Sequence, residues 1–117
     1  MPTALHEVTT TAATAITSTS SAASLLGLPA CGHVSVQITA SALSATVTFE
    51  VSNDGTNWAS IELVPSTDVS DTGLTATATA AGFWISKYPI AAVNFRAKCS
   101  AFTSQTAAFM TARWARV

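Results

Sequence analysis

Three stretches of this chain alternate apolar and polar side chains residue by residue: 33–39 (HVSVQIT), 45–51 (ATVTFEV) and 93–99 (VNFRAKC). A period of two puts every second side chain on the same face, so each reads as a β-strand buried on one side and wet on the other. Val34, Val36 and Ile38 share one inward face, Val47, Phe49 and Val51 a second, and Val93, Phe95, Ala97 and Cys99 a third. No segment of comparable length repeats at the helical period. The short connector at 41–44 predicts that the first two strands form a hairpin.

The punctuation between strands agrees with this reading. Residues 52–58 (SNDGTNW) carry Asn53, Asp54 and Gly55, a tight-turn signal, because glycine takes positive φ freely and Asn or Asp caps its own backbone. A strand from Trp58 to Leu63 or Val64 follows, ended by Pro65, and 66–74 is a loop. Residues 75–80 form a weak strand, 83–88 an aromatic one, and 106–116 a last strand in which either Phe109 or the pair Met110 and Trp114 faces inward. Strands at this spacing predict an all-β fold: an antiparallel β-sandwich, jelly-roll or Ig-like, of about seven strands.

Composition separates the N-terminal segment from the rest. Residues 1–24 contain only Met1, Leu5, Val8 and Ile16 as large apolar side chains, too few to offset the entropy of ordering the segment by burial. They are expected to be an extended Thr/Ser/Ala-rich arm, either a flexible tail or a segment that adds a strand to a neighbour's sheet, with 25–117 as the sandwich domain. Ala, Thr and Ser supply 56 of the 117 residues and charged residues only 11, so the surface is polar through hydroxyls and suits a protein packed against other subunits. The six acids all precede position 72 and the five bases all follow position 86, which suggests complementary patches on neighbouring copies. A net charge of −1 gives no global reason to bind nucleic acid. No apolar run reaches the length of a membrane span, and no Lys or Arg precedes position 87, so neither a transmembrane helix nor a secretory signal is expected and synthesis is placed in the cytosol.

Material for catalysis is scarce. His6 and His33 are the only neutral-pH bases, and Cys31, two residues before His33, is the only conceivable nucleophile, with nothing in sequence to orient the pair. No catalytic residue, cofactor or metal site is expected; a calcium loop at Asp54, or at Asp68 and Asp71, lacks the oxygen-ligand count a hard cation needs. Cys31 and Cys99 show no zinc-site spacing, and two readings stand: two reduced buried thiols, or a disulfide formed after release from the cell. Trp58, Trp84, Trp114 and Tyr88 are candidates for a sugar-stacking platform or for core packing.

The stretch LPACGHVSVQITASALSATVTFEVSNDGTNW, beginning at Leu28, and the later VNFRAKCSAFTSQTAAFMTARWA resemble small virion proteins of tailed bacteriophages. In that family an alternating strand leads into a T-F-E-x-S-N-D-G-x-x-W turn. A later F-R-x-x-x-S-A-x-T-S strand, matched here by Phe95, Arg96, Ser100, Ala101, Thr103 and Ser104, begins a final hairpin. Many relatives carry glycine after T-S, where this chain has Gln105. The resemblance covers about residues 28–117. It implies a head decoration, or cement, protein: made in the host cytoplasm, placed on the capsid exterior, associating as a homotrimer, and stabilising the assembled head by bridging subunits of the major capsid protein. The contacts expected from that reading are Thr9, Thr11, Ile16 and Thr17 of the arm, adding a strand to a neighbour, and Arg113 or Arg116 on capsid carboxylates. The alternative is a tail-fibre or receptor-binding module that recognises a cell-surface glycan through its tryptophans.

Overall fold

The computed structural model describes residues 8–29, 32–66, 73–105 and 107–116. It shows an all-β sandwich of two antiparallel sheets, and no helix occurs among the described residues. The strands are β1 (Val8–Thr10), β2 (Thr14–Ala15), β3 (Ala22–Leu25), β4 (Gly32–Thr39), β5 (Ala45–Ser52), β6 (Ala59–Ser60), β7 (Val64–Pro65), β8 (Thr77–Ala78), β9 (Gly82–Ile85), β10 (Asn94–Phe102) and β11 (Phe109–Arg116). The first sheet runs β1-β11-β4-β9-β7, with β2 also on β11; the second runs β3-β10-β5-β6, with β8 also on β5. The count exceeds seven because β2, β6, β7 and β8 are two-residue pairings, and because the N-terminal segment contributes strands of its own.

Alternation sets the core. Val34, Val36 and Ile38 of β4 and Met110, Ala112 and Trp114 of β11 point from the first sheet toward Val47 and Phe49 of β5 and Phe95, Ala97 and Cys99 of β10 on the second. Trp84 enters from β9 and packs tilted against Phe49, with ring centroids 6.0 Å apart. Removing each of the large side chains from water is worth about 1.5–3 kcal/mol. The register of β11 is the one with Met110 and Trp114 inside, leaving Phe109 outside. At the start of β10 the expected pattern breaks: Val93 is exposed and Asn94 is buried, its Oδ1 accepting the Gly27 backbone N–H at 3.0 Å.

Pairing departs from the expected hairpins. β4 and β5 do not pair; they lie in opposite sheets, and their inward residues meet across the core instead of side by side. The single strand expected over 58–64 is divided, with Ala59–Ser60 on the second sheet, Val64–Pro65 on the first, and buried Leu63 at the crossing. β10 and β11 likewise belong to different sheets, so the final hairpin is a crossover. Gln105 ties the two crossovers together: its Nε2 donates to the Ala42 carbonyl at 2.9 Å and its Oε1 accepts the Ser44 N–H at 2.8 Å. Positive φ falls on Ala107, at 50°, not on position 105.

The described part of the N-terminal segment is laid on the chain's own sheets. β1 and β2 pair with β11, β3 pairs with β10, and Ile16 is 2% exposed in the core. Backbone pairing, more than burial, holds it: Thr11 N–H donates to the Ala112 carbonyl at 2.9 Å, and Ala112 N–H donates to Thr11 Oγ1 at 3.0 Å. The segment changes sheets at a serine-rich turn, where Ser21 Oγ accepts the N–H groups of Thr17 and Ser18 and Lys98 Nζ donates to the Thr19 carbonyl at 2.6 Å.

Candidate protein-interaction face

With Val34, Val36 and Ile38 of β4, Trp84 of β9 and Met110, Ala112 and Trp114 of β11 in the core, the odd-numbered residues of these strands form the outer face of the first sheet. Directly opposed residues of an antiparallel pair share a face, so the register assembles rows: Thr10, Arg113, Ser35 and Ile85; Val8, Ala115 and His33; Thr111, Gln37 and Phe83. Four large apolar side chains stay exposed here, Val8 at 46%, Phe83 at 38%, Ile85 at 40% and Phe109 at 42%. Because Ser35 and Ala115 are small and sit between Arg113, Phe83 and Ile85, the face carries a hollow of about 220 Å³. His33 closes one side, its Nδ1 3.1 Å from both the carbonyl and hydroxyl oxygens of Ser86. That serine is buried and its Oγ accepts the Val34 N–H at 3.0 Å, so the contact fixes the imidazole and does not present a nucleophile. Arg113 is the one cation in these rows, and no carboxylate stands among their described residues. Grouped exposed apolar surface of this kind makes the face a candidate for contact with another molecule.

The other sequence-derived candidates lie elsewhere. Asn53, Asp54 and Gly55 form the turn after β5, with Gly55 at φ 76°. Asp54 Oδ1 accepts the N–H groups of Asn57 at 2.7 Å and Thr56 at 2.8 Å and the Ser52 hydroxyl at 3.0 Å, while Oδ2 accepts Asn57 Nδ2 at 2.7 Å. These bonds, the Asn57 backbone bond foremost, hold the carboxyl well below the usual carboxylate range. Its oxygens are engaged within the turn, and the described residues contain no group of three or more His, Cys, Asp or Glu able to hold a metal. Asp68 and Asp71 lie outside the described residues.

Of the expected contact residues, Ile16 is core, Thr11 is paired with Ala112, Thr9 opposes Trp114 at the edge and Thr17 belongs to the serine-rich turn. Arg116 opposes Gly32, on the other side of the strand from Arg113. Cys99 is a buried thiol whose Sγ donates to the Ala101 carbonyl at 3.3 Å, and burial pushes its pKa up. Cys31, and with it the expected disulfide, lies outside the described residues. The tryptophans do not form a platform: Trp84 and Trp114 are buried, and Trp58 lies under Arg96, whose guanidinium carbon is 4.1 Å from the ring centroid while its Nε is 2.7 Å from Glu50 Oε1. Tyr88 is exposed beside Lys87. Sequence reasoning missed Val8, Phe83, Ile85 and Phe109 as a surface. The available signal was the broken alternation of Phe83-Trp84-Ile85 and Phe109-Met110, where both faces of a strand are apolar.

No protein-family model matches the chain, and no curated protein matches it in sequence. Among solved structures it is similar to the SPBc2 prophage-derived protein YomS, with a TM-score of 0.69 and 12% identity, covering 98% of each chain. At that identity the likeness establishes a shared fold.

Proposed function

We propose that this chain is a structural protein of a bacteriophage particle, and specifically a head decoration protein that associates as a homotrimer and bridges subunits of the major capsid protein on the capsid exterior. The observation that carries the reading is the outer face of the first sheet, with Val8, Phe83, Ile85 and Phe109 exposed around a single cation. Support also comes from the virion-protein resemblance of residues 28–117 and from a similar fold in a prophage-derived protein. The physical function is linkage: a protein that binds the assembled lattice and not its free subunits stabilises the lattice by mass action, and many weak sites sum. A glycan-binding tail module working through its tryptophans lacks an exposed tryptophan pair to rest on.

The test is size-exclusion chromatography with light scattering, followed by co-sedimentation with phage capsids stripped of accessory proteins. A defined trimer that saturates the capsids and raises their melting temperature is expected. A monomer that leaves capsids unbound and their melting unchanged refutes the proposal.

A further inference from the structure

The hollow on the outer face of the first sheet lies between unlike walls: Arg113 on β11 at one side, Phe83 and Ile85 on β9 at the other, and Ser35 of β4 between them in the register. Arg113 has no ion-pair partner among the described residues. The geometry points to a specific occupant, a protein segment whose Asp or Glu carboxylate seats on Arg113 while its apolar neighbours cover Phe83 and Ile85. This deepens the decoration reading and rests on it, in naming where and by what chemistry the partner protein is held.

Two arguments choose that occupant over a second copy of the chain packed face to face. First, such a dimer would bring together two faces whose described rows hold arginine and no carboxylate, leaving buried charge unpaired, which is strongly unfavourable. A partner carboxylate supplies the missing counter-charge, and the planar fork of arginine donates two parallel N–H bonds to its oxygens. Second, the face is small. Two eight-residue strands flanked by a three- and a four-residue one present about 400 Å² at ordinary strand spacing and rise, roughly half of what one side of a standard stable interface buries. An area of that size suits a contact repeated many times over a lattice.

The experiment has two arms, so that the face and the decoration reading fail separately. In the first, full-length protein labelled with ¹⁵N is titrated with an eleven-residue peptide bearing one Glu flanked by Val and Leu, and with the same peptide bearing Gln. Shifts clustered at His33, Ser35, Ile85 and Arg113 with the Glu peptide, and about tenfold weaker binding of the Gln peptide, are expected. Shifts elsewhere, or equal binding of both peptides, overturn the inference. In the second arm, stripped capsids are sedimented with wild type, Arg113→Glu, Arg113→Lys, Phe83→Ser and, as a control on the other sheet, Ser24→Glu. About a hundredfold loss is expected for Arg113→Glu and tenfold for Phe83→Ser, with Arg113→Lys losing less than tenfold and Ser24→Glu unchanged, each variant checked for a native circular dichroism spectrum. Binding by wild type with no loss in the Arg113 and Phe83 variants overturns the face and keeps decoration; peptide binding at the face without capsid binding does the reverse. A wild-type dimer that Arg113→Glu abolishes identifies a second copy as the occupant and overturns the inference.

Discussion

Replacing Gly32 by alanine sets a methyl group against the indole of Trp114. A Cβ built at position 32 would lie 1.9 Å from Trp114 Nε1 and 2.0 Å from Cε2, against an ordinary contact of about 3.5–4 Å, so ring or strand must shift by more than 1 Å. The φ of Gly32 is not positive, so alanine suffers no backbone strain there and the whole effect comes from the contact. Trp114 is 1% exposed, at the centre of the first sheet's inner face, with β1 and β4 on either side of its strand. Overpacking typically costs about 1–3 kcal/mol, and displacing a buried tryptophan from its site about 3–5 kcal/mol, so we expect a loss of about 3–4 kcal/mol. For a domain of this size that lowers the melting temperature by roughly 12–20 °C. Urea unfolding followed by tryptophan fluorescence measures it. The same substitution in a Trp114→Leu background should cost under about 1 kcal/mol, because the leucine side chain stops short of the ring atoms in conflict. A Gly32→Ala protein within about 1 kcal/mol of wild type, or equal costs in the two backgrounds, refutes the reasoning.

Other outcomes follow from the same geometry. Ile16→Ala should lose about 2–4 kcal/mol in urea unfolding, and deletion of residues 1–20 should unfold the sandwich instead of merely releasing an arm, since β11 loses both its outer partners; a stable truncated domain by circular dichroism contradicts this. Asp54→Asn should lower the urea midpoint at pH 7. Its native carboxyl is depressed relative to the unfolded value of about 4, so the stabilisation is full above that value and fades as pH falls toward the native one; a wild-type-to-mutant gap that does not narrow between pH 6 and pH 2 counts against it. Arg96→Ala removes a largely buried cross-strand ion pair and a cation–π contact together, for about 1 kcal/mol and a shifted Trp58 emission; unchanged emission rules out the stacked arrangement in solution. Cys99 should resist a thiol reagent at pH 8 until urea is added, as read by mass spectrometry of its peptide, and rapid native labelling shows that the site is open.

How far the fold could be read in advance depended on what alternation encodes. A period of two reports which face of a strand is wet, and it placed Val34, Val36, Ile38, Phe49, Phe95 and Cys99 inside correctly. It carries no information about which strand lies alongside. β4 and β5 both satisfy the pattern whether they pair or face each other, and the connector at 41–44 fits a crossover as well as a turn. The N-terminal segment escaped because its attachment is made largely of backbone bonds to β11 and β10, which leave little trace in hydrophobicity beyond Ile16. Arg113 was legible as an exposed cation, but its apolar surroundings were not. Phe83 and Ile85 become surface residues only once β9 is known to have its odd-numbered side uncovered, and Val8 and Phe109 join them only through pairing with β11 and β4.

The pairing of the first strand with the last has a consequence for how the protein is made. β1 and β2 can join the sheet only after β11 has been made, whereas β4 can pair first with β9. With neighbours so distant along the chain, folding at low-contact-order speeds is excluded. β1 and β2, which carry no charge, stay unpaired until β11 has been made, so expression temperature and chaperone supply should govern soluble yield more strongly than the stability of the finished protein does.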